Sequence, residues 1–212
     1  MRMLDGVVTR SHSPAAPSAS IGNPTSRSEN EGNDAFSDSI GQGIEARTAV
    51  VANVITDAFR QGRKVLVLTE RTDHIDAIRA ALANQVPEPF VLHGRMSKKQ
   101  RTALIAALDA LPPGAPRVLL ATGKLVGEGF DHPPLDTLVL AMPVSWKGTL
   151  QQYAGRLHRE HASKADVRII DFVDTAHPAL RRMWDKRQRG YRAMGYRIQL
   201  RSELAKSTKS SA

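Results

Sequence analysis

From residue 44 onward, short apolar runs alternate with longer segments that are apolar at helical spacing, and few architectures accept that alternation. Val65–Thr69, Phe90–His93, Val118–Thr122, Thr137–Ala141 and Val167–Val173 have the length of strands. Between them, Ile44–Gln61, residues 72–84, Ser97–Leu111, Thr149–Arg159 and Ala179–Arg192 carry the period of amphipathic helices. The first places Val50, Val51, Val54, Ile55, Ala58 and Phe59 on one stripe and is stopped by Gly62. Thr72 and Ser97 are expected as caps, and Pro112, Pro113 and Gly114 end the third helix. Strand and helix in strict alternation predict an α/β domain, a mostly parallel sheet covered by helices on both faces. Ligands of such sheets sit outside the carboxyl ends of the strands, so the segments that follow each strand carry the functional question.

The flanks read differently. Residues 1–43 are rich in Ser, Gly and Pro without any apolar period and are expected to be disordered. The domain is expected over 44–200, followed by a polar basic tail at 201–212. With 212 residues and 41% hydrophobic content, a core can form without staples, and the chain has no cysteine to make one. No apolar run reaches the ~18–20 residues a membrane helix needs. The first residues do not form a signal peptide, so a cytoplasmic location with no membrane partner is expected.

Charge is distributed unevenly. Residues 1–146 carry 15 basic and 15 acidic side chains, whereas 147–212 carry 15 basic against 6 acidic, the whole of the +9 excess. Such asymmetry points to a polyanion as partner or to a solvated basic helical face. The stretch RRMWDKRQRGYR, with Trp184 and Tyr191 among its arginines, suits single-stranded nucleic acid. A helix packed through Trp184 with its arginines in water is the competing reading.

Two of the post-strand segments stand out. The strand ending at Thr122 runs into a loop with Gly123, Gly127 and Gly129, followed by Asp131. Glycines there let the backbone turn sharply and approach a ligand. The helix LQQYAGRLHRE then spells Q-x-x-G-R-x-x-R, and spacings of three and four bring Gln152, Gly155, Arg156 and Arg159 to one face. Two guanidiniums on one face suit phosphate or carboxylate partners. Gly155 costs about 1 kcal/mol relative to Ala in a helix, which points to a close contact at that position.

These motifs resemble motifs V and VI of superfamily 2 helicases, in the second, C-terminal RecA-like domain of DEAD/DEAH-box and type III restriction-like enzymes. VLVLTERTDHIDAIRAAL is similar to motif IV and its helix, and VLHGRMSKKQR to the stretch that follows it. The resemblance covers about residues 46–200. It implies that Arg156 and Arg159 act as arginine fingers toward the γ-phosphate of ATP, with Arg159 the stronger candidate. It implies a place near the nucleotide for Gln152, Gly155, Gly129 and Asp131. Thr122 matches the motif V threonine at the nucleic-acid backbone, though its spacing to Gly129 is one residue longer than in DEAD-box proteins. Thr69, Arg71, His93, Gly94 and Arg101 are further candidates for contact with DNA or RNA.

A motor of this kind needs a first RecA-like domain with the phosphate loop G-x-x-x-x-G-K-[ST] and an acidic magnesium motif, and neither occurs in this sequence. The expectation is therefore the C-terminal half of a helicase or translocase, inactive alone, whose Walker A/B domain comes from another chain or a missing upstream segment. ATP and Mg2+ are expected only in the assembled two-domain motor. A stand-alone nucleic-acid-binding module, or a gene remnant without ATPase coupling, remains the alternative. His158 and His161 lack the arrangement of a zinc site.

Overall fold

The computed structural model describes residues 3–11, 37–123, 130–142, 150–159, 161–174 and 178–200. In chain order the elements are β1 (Met3–Ser11), α1 (Ser37–Arg60), β2 (Lys64–Thr69), α2 (Thr72–Leu82), β3 (Phe90–Leu92) and α3 (Lys98–Asp109). They continue as β4 (Arg117–Thr122), β5 (Thr137–Leu140), α4 (Gln151–Leu157), β6 (Asp166–Asp174), α5 (Pro178–Ala193) and β7 (Arg197–Leu200). The strands form one sheet in the order β3-β4-β2-β5-β6-β1-β7. Every pairing from β3 through to β6 is parallel, as the alternation demands. The fold is the expected RecA-like α/β arrangement.

β2 and β4 show why their sequences read as continuous apolar runs. Each is buried at all six positions, because helices cover both faces of the sheet. Side chains alternate between the two sides. Leu66, Leu68, Leu119, Ala121, Leu138 and Leu140 join Leu108, Tyr153, Leu157, Trp184 and Tyr191 from α3, α4 and α5. Val65, Val67, Val118, Leu120 and Val139 join Val51, Ile55, Ile75 and Ile78 from α1 and α2. The helices that carry the basic residues of the second half thus share one face of the sheet.

Local signals mostly act as read. Gly62 takes φ +77° just beyond α1, the left-handed geometry that ends a helix. Ser97 caps α3 through a reciprocal pair with Gln100, its hydroxyl accepting from the Gln100 amide at 3.2 Å while its own amide donates to Gln100 Oε1 at 2.9 Å. Thr72 is not a cap: Arg71 occupies that position without a side-chain bond, and Asp73 Oδ1 accepts from the His74 amide at 3.0 Å instead.

Two stretches depart from the expected lack of order at the N-terminus. Met3–Ser11 is a strand, antiparallel to β6 along its whole length and to β7 over Gly6–Thr9. α1 begins at Ser37 rather than near Ile44. The remaining residues 12–36 lie outside the described ones. β1 has Val7, Val8 and Thr9 but no regular alternation; its order derives from the ladder bonds it makes with β6, which would otherwise be a bare sheet edge on that side.

Candidate nucleotide-facing and strand-facing site

The carboxyl edge of the parallel strands gathers several of the predicted residues. Thr69 and Thr122 are register partners at the ends of β2 and β4. Leu92 pairs with Ala121, so His93 leaves β3 at the same edge. Thr69 is buried, and its Oγ1 shares a 3.0 Å hydrogen bond with Nδ1 of His74 on α2. Burial, then the charge of Arg47, pushes the His74 imidazole below its ordinary value, so it is neutral near pH 7. Thr69 is therefore committed to the protein's own interior. Arg71 is exposed and bound to Asp73, its Nε lying 3.0 Å from Oδ1. His93 accepts from the Arg95 amide at 3.3 Å, Gly94 is exposed with open space before it, and Arg101 is half-buried with its Nε unpartnered among the described residues.

Helix α4 is oriented by its apolar side. Tyr153, Ala154 and Leu157 are buried, while Gln152, Gly155 and Arg159 are exposed and Arg156 half-buried. Gln152, Gly155 and Arg156 thus share the polar side expected from the spacing, but the helix ends at Leu157 rather than at Arg159, which lies two residues beyond it. Gly155 departs from expectation: a Cβ placed there meets nothing within 4 Å, so no contact within the described residues explains the glycine. The close approach occurs instead at Gly123, directly after β4. A Cβ at Gly123 would lie 2.6 Å from the hydroxyl oxygen of Tyr153, so the glycine is needed where the tyrosine crosses the strand end. Tyr153 was not singled out by sequence, because an aromatic at a core position of a helix gives no further signal. Burial, then the nearby Glu70 carboxylate, raises its phenol above the ordinary value.

The same helix is tied to the segment after the glycine-rich loop. Arg156 Nη1 donates to the backbone carbonyl of Phe130. Arg159 Nη1 lies 2.7 Å from Oδ2 of Asp131. The other oxygen of Asp131, Oδ1, is buried without a hydrogen-bond partner among the described residues. Gly129 and the other glycines of this loop beyond Gly123 lie outside the described residues.

The end of α4 is held from two further directions. Lys164 Nζ donates to the carbonyl of Leu157 at 3.0 Å, one of the acceptors a helix leaves open at its C-terminus, and to that of Arg159, just beyond the helix, at 2.8 Å. His158 Nε2 lies 2.8 Å from the Tyr196 hydroxyl, linking α4 to the start of β7. Burial lowers the Lys164 ammonium to about 8 against the opposing pull of Asp136 and Asp131.

Helix α5 resolves the two readings of the basic stretch. Trp184 and Tyr191 are core residues. Arg187, 1% exposed, points inward too: its Nε and Nη2 donate to Asp171 Oδ2 at 2.6 Å and Oδ1 at 3.1 Å, beside the Tyr191 hydroxyl at 3.0 Å.

Residues 47–161, more than half of the chain, match the helicase conserved C-terminal domain family. The chain belongs to that family. The two segments that meet at Arg159 and Asp131 both lie within the matched part of this helicase C-terminal domain, whereas β1, α5 and β7 lie outside it. Over 103 residues it is 39% identical to uncharacterized protein 108L of invertebrate iridescent virus 3, a match covering 47% of this chain and 90% of that protein. Over 149 residues it is 26% identical to probable helicase D10 of Escherichia phage T5, covering 68% of this chain but 32% of that protein. The chain therefore spans about a third of D10 and nearly all of 108L. The C-terminal part of the Fun30 ATPase domain has the same fold, with a TM-score of 0.50 at 15% identity, over 58% of this chain and 39% of that one. Among the described residues, no helix is long and apolar enough to cross a membrane.

Proposed function

We propose that this chain is the C-terminal half of an ATP-dependent nucleic-acid helicase or translocase. It would present Arg159 and Arg156 across a cleft to a nucleotide bound mainly by a first RecA-like domain, in another chain or upstream in the same protein. The observation that carries the reading is the union of α4 with the segment after β4. Exposed Arg159 is paired with Asp131, and half-buried Arg156 with the Phe130 carbonyl.

The residues present fit one side of a nucleotide. Among the described residues no atom lies within 4 Å of a Cβ placed at Gly155, which leaves room for a group to approach α4 closely. The buried Oδ1 of Asp131, without a partner among the described residues, is an acceptor suited to a donor such as a sugar hydroxyl. When bound, ATP with Mg2+ supplies the phosphoryl group to be transferred. This chain's part is then electrostatic. An arginine that moves from Asp131 to the γ-phosphate neutralises charge developing on it, worth ~10³–10⁵ in rate where such fingers are known. Arg159, 59% exposed at its side chain, is free to make that exchange at little cost in packing.

DNA or RNA is the polymer the reading implies, with Thr122 and the nearby His93, Gly94 and Arg101 as contacts from this half. Thr69 supports them from inside through His74. The test is the Arg159→Ala variant in the assembled two-domain enzyme. Turnover should fall by at least ~10³-fold while strand affinity stays within about twofold. Equal loss of strand affinity and of turnover would mean that Arg159 contacts the polymer backbone and would favour a simple binding module.

A further inference from the structure

The outer face of α5 carries a charge arrangement that the α4 site does not use. Arg181, Arg182, Lys186, Arg189 and Arg192 are all exposed, whereas Trp184, Arg187, Gly190 and Tyr191 are buried. At 3.6 residues per turn the five cations occupy a sector of about 140°. Asp185 is the single acid of the helix, and exposed Arg197 opens β7 just beyond it. Among the described residues none of the five cations forms an ion pair; Arg192 donates to the neutral Gln188 Oε1 at 2.9 Å. Like charges three and four residues apart oppose the helix that carries them. The arrangement therefore suits an anionic surface laid along it.

The inward turn of Trp184 and Tyr191 narrows the class of partner. No aromatic remains on this face for a base to stack on, so apart from the Asp185 carboxylate, which falls within the same sector, it offers positive charge and hydrogen-bond donors. Its exposed positions also lack the Trp, Phe or Leu with which an interfacial helix enters a bilayer. We infer that the outer face of α5 is a second nucleic-acid contact, binding the phosphate backbone without regard to sequence. It lies outside the helicase-family match and accounts for much of the positive excess of the second half. The polymer class rests on the proposed function; the site does not.

The test compares two pairs of substitutions with the same charge change in the full chain. Arg182→Gln/Arg189→Gln removes two cations of the stripe. Arg60→Gln/Arg79→Gln removes two exposed cations from α1 and α2 on the opposite face of the sheet. Binding of a labelled mixed-sequence single-stranded oligonucleotide is followed by anisotropy across a salt series. Each lost phosphate contact lowers the log–log salt slope by ~0.7, so the α5 pair should flatten it by about 1.4 and weaken binding about tenfold near 0.15 M salt. The control pair should leave slope and affinity near those of the unsubstituted chain. Equal effects of the two pairs, or no effect of the α5 pair, would overturn the assignment. So would wild-type chain that binds phosphatidylserine vesicles and not the oligonucleotide. Failure of the motor reading would show in ATP turnover and leave this salt slope unchanged.

Discussion

Arg159, two residues beyond the end of the motif helix, and Asp131, after the glycine-rich loop, form a 2.7 Å ion pair at the protein surface. The pair joins two segments that share no element, and it leaves one oxygen of Asp131 buried without a hydrogen-bond partner among the described residues. Surface pairs of this kind contribute ~0–1 kcal/mol. Arg159→Ala should therefore lower the urea unfolding free energy by less than about 1 kcal/mol, while removing turnover in the assembled enzyme. A loss of several kcal/mol would make the pair a structural clamp instead.

Gly123 and Tyr153 give a packing prediction. A methyl group at residue 123 would sit 2.6 Å from the tyrosine hydroxyl but 3.4 Å from the ring carbon that bears it. Gly123→Ala should destabilise by ~1–3 kcal/mol through overpacking. Tyr153→Phe in the same chain removes the clashing oxygen and should restore most of that loss. A urea double-mutant cycle checks it; strictly additive effects would contradict the contact.

Asp171, Arg187 and Tyr191 make a buried ionic cluster between β6 and α5. Removing one partner leaves a charge without compensation, a loss of ~3–5 kcal/mol. Arg187→Ala should reach that range in chemical denaturation, whereas Arg189→Ala, two residues on and exposed on the other side of the helix, should stay within ~0.5 kcal/mol. Similar small losses from both would mean that Arg187 is not the core residue described.

Lys164 supplies a pH dependence. Its folded-state value is lowered to about 8 from an ordinary 10.5, so between those limits the unfolded chain binds more protons than the folded one. Stability from this group therefore rises as pH increases from about 8 to 10.5 and is complete above that window. Lys164→Gln should remove the rise. The readout is the difference in urea midpoint between the two proteins across the window, which cancels other groups titrating there.

The parts of the fold that were legible in sequence are those whose own residues determine them. β2 and β4 are buried along their length and had to be apolar throughout, and Ser97 with Gln100 carries its capping chemistry in four residues. β1 was not legible, because its order comes from β6 and β7, strands far along the chain. In the site, the polar face of α4 follows from spacing alone. Its tie to Asp131 and the crossing of Tyr153 over Gly123 depend on how the loop returns to the sheet, which no local pattern encodes. Arg187 shows the same limit: six basic residues of one stretch look alike until Asp171 selects the one that turns inward.

The most direct test of the central claim is ATP turnover, with single-stranded DNA and RNA present. It is measured on the purified chain and again after addition of a RecA-like first domain that carries the Walker motifs. The chain alone is expected to show no turnover, and the assembled pair strand-stimulated turnover that is lost with Arg159→Ala. Turnover that stays with the isolated, stringently purified chain and survives Arg159→Ala would contradict the claim.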